Sequence, residues 1–335
     1  MCSSPAAMAL FTPMTLDAAQ QIGRDYGLDV VDVEALRVGS VNSNFRFRTR
    51  SGPSFFVRVY EEQGPAGAAA ELRMLSELQR LGVPTAAPLS LLGGGQASSH
   101  QGKPVGVVPW IEGEILCLGR ITESVAGRLG RALAGVHAAS ASLGEIPEGR
   151  FGLRGLGARL DSIERATDRF QADVAFIRER LERYAAISSD GLPRGLIHGD
   201  LFRDNALWRR VSQASPEELE LVALIDFESA SRGVFAYDLM VTIHAWCYGA
   251  QFDLRLVQAL MDGYCTVRAL GRDEYQALRS QGALAALRFA TTRITDFSMR
   301  AAPGQAPARD YRRFLARLEA IENGALDPII ERGTA

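Results

Sequence analysis

The residues best suited to chemistry lie in two acidic segments. Asp200 closes the apolar run Gly195 to His198, with Asn205 five residues beyond it, and Asp226 closes a second apolar run, Leu221 to Ile225. Two strands ending this way offer one carboxylate to accept a proton and two oxygen donors to hold a hard cation such as magnesium. Phosphoryl transfer needs this equipment: a hydroxyl must give up its proton and the phosphate charge must be neutralised, with little covalent work left for the protein. Asp and Asn are common turn formers, so either segment alone has an ordinary reading as an acidic turn. Their joint occurrence, in this order and after matching apolar runs, favours the chemical one.

The elements that would carry these segments fall into two regions. A short helix over 15–26 stops at Gly27, and segments 30–38, 43–49 and 55–60, rich in β-branched and aromatic residues and broken by Gly39-Ser40 and Ser51-Gly52-Pro53, read as a small antiparallel sheet. A helix over 66–81 turns Leu72, Leu75, Leu78 and Leu81 inward. Two further strands, 89–92 and 105–108, flank a polar loop, 93–102, where Lys103 would be solvated. After Glu112 the pattern becomes helical, over 122–140, 160–187, 253–270, 273–300 and 308–323, interrupted by strands at 195–198 and 221–225. The expected division is 1–112, a nucleotide-binding N-terminal lobe with its hinge, and 113–335, a catalytic and substrate-binding C-terminal lobe.

Composition excludes other classes. With 335 residues, 47% hydrophobic and 23% charged, the chain reads as an ordinary globular protein with two lobes that each bury a core. A net charge of -2 argues against a nucleic-acid partner. Cys2, Cys117, Cys247 and Cys265 show neither CxxC spacing nor pairing. No run of about 18 apolar residues marks a membrane span, so a cytoplasmic protein is expected. The oligomeric state is not legible. Lys103 is the only lysine, so nearly all positive charge is arginine.

The runs LIHGDLFRDNALW (196–208), LIDFESASRGVFAYDL (224–239) and GSVNSNFRF (39–47) ahead of FFVRVYE (55–61) resemble the aminoglycoside phosphotransferase and choline kinase superfamily. Within it, HGDLFRDN is similar to the homoserine kinases of the phosphotransferase type, as are TIHAWC (242–247) and ALRFATTRITDF (286–297). The resemblance spans about residues 37–300. It implies an α+β, protein-kinase-like two-lobed fold, with a small antiparallel-sheet N-lobe and a larger, mainly helical C-lobe. It also implies ATP and Mg2+ as cofactors and a small-molecule hydroxyl as acceptor, with a role in threonine biosynthesis. Asp200 would be the catalytic base, while Asn205 and Asp226 would hold magnesium. His198 would be structural and Asp238 would organise the loop.

For the nucleotide, the resemblance points to Ser40, Asn42 and Asn44 in the first strand connection, which has an equal reading as a plain hairpin turn. Arg58 stands where kinases place their phosphate-holding lysine. It can bond phosphate, pair with Glu71 of the next helix, or be an exposed strand residue. In the hinge, Pro109 has no N–H, so the adenine donor falls to Trp110 or Ile111.

Homoserine adds a carboxylate and an ammonium to recognise. Arg203, Arg288 and Arg293 are candidates for the first and Glu228 and Asp296 for the second; Arg293 and Asp296 would share a helix face. The resemblance implies an Asn-Asp pair before Trp246-Cys247, where this chain has His244-Ala245. Another amino alcohol, an aminoglycoside or a protein hydroxyl therefore remains open as acceptor, as does a nucleotide-binding pseudokinase.

Overall fold

A computed structural model describes residues 12–36, 41–212, 218–301 and 307–334. The chain divides into two compact units, one of 1–114 with 207–209 and 222–228, the other of 115–206, 210–221 and 229–335. Ser40, and with it part of the first strand connection, lies outside the described residues.

The N-terminal unit is a five-stranded antiparallel sheet with two helices. Helix α1 (Leu16–Asp25) starts where Thr15 Oγ1 accepts from the Ala18 N–H, and the chain leaves it through Gly27 at φ 71°. Then come β1 (Val30–Leu36), β2 (Ser43–Thr49), β3 (Ser54–Val59), α2 (Pro65–Arg80), β4 (Ala97–His100) and β5 (Lys103–Pro109), paired in the order β1-β2-β3-β5-β4. Alternation along the strands puts Phe45, Phe47, Val57, Val59, Val105 and Val107 into one core with Ala19 and Ile22 of α1.

Two expectations fail here. Residues 89–92 form no strand, although the Leu89 N–H still bonds Val107 O at 2.8 Å. The edge strand is β4, inside the supposed polar loop, because Gln101 (φ 50°) and Gly102 (φ 78°) make a two-residue hairpin turn into β5. Lys103 is not simply solvated: it opens β5, and its Nζ bonds Glu61 and, at 2.8 Å, Thr12 Oγ1.

The C-terminal unit is mainly helical. Its elements are α3 (Glu123–Ala139), α4 (Leu153–Ala166), α5 (Gln171–Ala185), β6 (Arg194–Ile197), β9 (Ser231–Val234), α6 (Phe235–Trp246), α7 (Leu254–Cys265), α8 (Arg272–Arg293), α9 (Arg312–Glu322) and α10 (Asp327–Thr334). Between β6 and β9 the hairpin of β7 (Ala206–Arg210) and β8 (Leu219–Leu224) carries the residues that belong to the first unit.

The single helix expected over 160–187 is two, because Thr167 is extended at φ −170°. The one expected over 273–300 leaves α geometry at Arg293 and continues as a π turn over 294–298. Helices α3 and α7 cross backbone to backbone: a Cβ on Gly130 would stand 1.9 Å from Leu260 O, and one on Gly263 2.0 Å from Gly127 O. The main core gathers Leu160, Val174, Ile177, Val241, Leu287, Phe289, Tyr311 and Phe314 from α4, α5, α6, α8 and α9. No helix among the described residues is long and apolar enough to cross a membrane.

Two fully buried histidines couple this fold to pH. Burial lowers His244 to about 3, and burial likewise lowers His137 below the ordinary imidazole range. Each native state therefore excludes a proton that the unfolded chain binds below about pH 6.5, so stability rises with pH and is complete only above that value. Lowering the pH to 5.5 is expected to remove about 1.4 kcal/mol through His244 alone. Urea unfolding midpoints at pH 7.5 and 5.5 measure this, and His244→Phe is expected to flatten the dependence by about one proton. A midpoint constant over this range would mean that neither ring is held neutral.

Candidate active site

In the C-terminal unit the site is built outward from β6. Asp238, in the first turn of α6 and wholly buried, accepts the His198 N–H at Oδ2 (2.7 Å) and the Gly199 N–H at Oδ1 (2.8 Å), while His137 Nε2 donates to Oδ2 at 3.0 Å. Burial alone would raise Asp238. The His137 hydrogen bond, the nearby imidazoles and the Gly199 N–H outweigh it, so the group is held below the usual carboxylate range. His137 stays neutral and accepts at Nδ1 from the Tyr264 hydroxyl (2.6 Å), which in turn accepts from Arg268 at 3.2 Å. Gly199 turns at φ 73°, and a Cβ there would stand 3.0 Å from Ser229 O.

That turn fixes Asp200. Its N–H faces His198 Nδ1 at 3.4 Å, and its carbonyl accepts from Asn205 Nδ2 at 2.8 Å and from the Phe202 N–H at 2.7 Å. With its nitrogen so used, the 8% exposed Asn205 has Oδ1 left for a cation. The Asp200 side chain keeps 30% exposure, enough for a substrate hydroxyl to reach it. Arg288, 4% exposed on α8, donates through Nη1 to Gly199 O (3.1 Å) and lies 3.4 Å from Asp200 Oδ1. Trp246 Nε1 pins the loop from the other side through Leu201 O at 3.0 Å.

In the N-terminal unit the counterpart is Asp226, which follows β8 with a left-handed φ of 61°, unusual outside glycine. Arg58 on β3 donates from Nη2 to Asp226 Oδ1 at 2.9 Å and from Nη1 to Glu71 Oε1 at 3.4 Å. At 14% side-chain exposure it is no surface strand residue. Burial works against its charge, yet Asp226 and Glu71 prevail and raise it above the ordinary guanidinium value. Glu71 is completed by the Tyr60 hydroxyl (3.2 Å) and Gln63 Nε2 (3.0 Å). Asn44, opposite Arg58 across β2 and β3, offers Oδ1 to Arg58 Nε at 3.4 Å.

The remaining expected residues separate. Asn42 uses both ends of its amide, on Glu228 Oε2 and the Glu61 N–H, each at 3.0 Å, so both Asn42 and Glu228 brace the N-terminal unit. The Trp110 N–H is taken by Ser54 O at 3.0 Å, so of the two expected donors Trp110 is already committed. Asp296 pairs with Arg159 at 2.9 Å, whereas Arg293 donates to Asp310 O at 3.1 Å. The π turn is the reason, since residues three apart no longer superpose once the helix widens. Arg203 lies in the short turn 203–205 after Asp200.

Sequence reading missed His137, Tyr264, Arg159 and Arg317. His137, Tyr264 and Arg317 sit inside long helical patterns and Arg159 just ahead of one, with no motif around any of them, so only the packing of α3, α7, α4 and α9 brings them into play.

Residues 32–279 match the phosphotransferase enzyme family. A homoserine kinase of Phenylobacterium zucineum is 31% identical over 320 residues, covering 92% of this chain and 95% of its own. One of Azorhizobium caulinodans is 30% identical over 295 residues, covering 87% and 88%. Among solved structures, the amicoumacin kinase hAmiN, in complex with AMP-PNP, Ca2+ and Ami, superposes with a TM-score of 0.68 at 15% identity over 92% of this chain and 93% of that one. A microcompartment-associated aminopropanol kinase gives 0.64 at 18% identity, covering 93% and 98%. The α+β fold, with its antiparallel-sheet N-terminal part and helical C-terminal part, is thus that of known kinases, and with a matched segment that runs from β1 into α8 the chain belongs to the phosphotransferase enzyme family.

Proposed function

We propose that the chain is an ATP-dependent kinase that phosphorylates the side-chain hydroxyl of L-homoserine, a cytoplasmic step of threonine biosynthesis. The observation that carries this reading is the partly exposed Asp200 carboxylate on a loop fixed by Asp238, Asn205 and Arg288, in a chain alike over most of its length to homoserine kinases. The N-terminal unit is assigned the nucleotide and the C-terminal unit the acceptor.

In the proposed reaction the homoserine hydroxyl oxygen attacks the γ-phosphorus of ATP. The bond from that phosphorus to the bridging oxygen of ADP breaks, and the hydroxyl proton passes to Asp200. Asp226 and the Oδ1 of Asn205, one carboxylate and one neutral oxygen, are the donor types a hard cation takes, and chain spacing and resemblance assign them to Mg2+. Bound magnesium would neutralise the triphosphate charge. Arg58 stands where the family resemblance expects a lysine, and its fork is suited to phosphate oxygens as well as to Asp226.

A second reading draws on the 2.9 Å pair of Arg58 with Asp226, since a metal ligand held by a guanidinium fits a protein that binds nucleotide without transferring phosphate. Turnover separates the two. Wild-type protein with Mg-ATP and L-homoserine is expected to release ADP, and Asp200→Ala to lower kcat by about 10²- to 10⁴-fold with its thermal unfolding unchanged. ATP binding without transfer to homoserine, amino alcohols or aminoglycosides would favour the second reading.

For Arg58→Ala the expected outcome is a rise of about tenfold in the KM for ATP, together with a stability loss of about 1–3 kcal/mol from leaving Glu71 buried without its cation. A stability loss with an unchanged KM would limit Arg58 to tying β3 to α2.

A further inference from the structure

The C-terminal unit carries more positive charge beside Asp200 than its own acids neutralise. Arg293 at the end of α8 and Arg317 on α9 both stand over the Phe314 ring, with guanidinium carbons 4.5 and 4.7 Å from its centroid. Arg317 also stands 4.3 Å from the centroid of Tyr248. Their hydrogen bonds go to main-chain oxygens: Arg293 to Asp310 O at 3.1 Å, and Arg317 to His244 O at 3.1 Å and to Arg313 O. Neither pairs with a carboxylate among the described residues. Three acids of this unit are engaged elsewhere, Asp296 by Arg159 at 2.9 Å, Asp204 by Arg309 at 2.8 Å and Asp310 by the N–H of Arg312 at 2.9 Å.

Burial and crowding register on both groups. Arg293 is lowered to about 9, first by burial and then by the charges of Arg309, Arg317 and Arg313, with Asp200 acting in the opposite sense. Arg317 is lowered to about 10, chiefly by burial, and further by Arg313 and Arg203. Both remain charged at neutral pH. Arg288, by contrast, is committed to Gly199 O and Asp200.

We infer that Arg293 and Arg317, stacked on Phe314, form the station that takes the carboxylate of the acceptor. This rests on the proposed function for the identity of the acceptor. Two half-buried forks on one aromatic plate suit a planar two-oxygen anion, because each fork offers paired N–H donors and the ring limits their freedom. A carboxylate brought there belongs to the molecule whose hydroxyl meets Asp200, since Phe202, two residues beyond Asp200, packs edge-on against the same Phe314 ring with centroids 6.2 Å apart. Carboxylate recognition thus moves from Arg288, which positions the base, to α9, a helix outside the matched family segment.

Arg317 also caps the end of α6 through His244 O, so the test must read more than folding. The kinetic arm compares L-homoserine with 2-aminobutane-1,4-diol, which keeps the amine and the side-chain hydroxyl and carries a hydroxymethyl group in place of the carboxylate. Wild type is expected to favour homoserine in kcat/KM. Arg317→Gln is expected to cut that preference about tenfold to a hundredfold through KM for homoserine, with the KM for ATP unchanged. Arg317→Lys, which keeps the charge and loses the fork, is expected to fall between and serves if the glutamine variant does not fold.

The binding arm titrates wild type and variant calorimetrically, in the presence of ADP, with L-homoserine and with L-2-aminobutyrate, which has the carboxylate but no hydroxyl. Weaker binding of both ligands to the variant supports the station even if homoserine is not phosphorylated, a result that would sink only the proposed acceptor. Homoserine turnover with an unchanged preference in both variants, or no binding of either ligand to folded wild type, overturns the station.

Discussion

Asp238 has no exposed surface, yet it carries a charge and holds the two residues before Asp200 by their backbone N–H groups. A buried carboxylate is tolerated only when hydrogen bonds replace its lost water, and here three donors do so. The third, His137, is itself fixed in one tautomer, because Nδ1 accepts from the Tyr264 hydroxyl and Nε2 must therefore donate to Asp238. Tyr264 lies on α7, whose crossing with α3 is close enough to require Gly130 and Gly263. The angle at which Asp200 leaves β6 is thus set by how two helices pack. A change at that crossing would reach Asp200 without touching it.

Each unit sets its key aspartate against an arginine on a different element. Arg288 bonds the carbonyl before Asp200 and approaches its carboxylate, while Arg58 joins Asp226 to Glu71. Arginine suits both tasks better than lysine, since a planar fork serves two acceptors at once from a fixed position whereas an ammonium is a point charge. The departure from the expected lysine therefore changes geometry more than charge. Pairing at 2.9 Å also fixes the orientation of the Asp226 oxygen.

Much of this was legible in the sequence because the residues proposed to do chemistry sit at the ends of short apolar runs, where spacing along the chain is also spacing in the fold. Asp200, Asn205 and Asp226 are of that kind, and so is the pairing of Arg58 with Glu71 across β3 and α2. The network behind them is legible only at Asp238, which the family resemblance assigns to the loop; its partner His137 lies 101 residues away, and Tyr264, the partner of His137, lies 127 residues from that histidine. The failed pairing of Arg293 with Asp296 has a different origin. Face-sharing was computed for an α-helix, and the chain adopts a π turn from Ile294, a local choice that hydrophobic period does not announce. Strand β4 was hidden for a similar reason: Ala97–His100 is short and polar, and only the Gln101-Gly102 turn pairs it with β5.

The departure at His244-Ala245 follows the same physical logic. His244 is buried and neutral; when Nε2 donates to Gly282 O at 2.9 Å, Nδ1 remains as a lone-pair acceptor. It therefore keeps one donor and one acceptor, as the asparagine implied by the family resemblance would, while its ring packs near Phe252 and Phe314 with centroids 5.6 and 5.9 Å away. Ala245 has no such equivalence. With alanine beside it, the His244 carbonyl is left to accept from Arg317 Nε at 3.1 Å, which ties the end of α6 to α9.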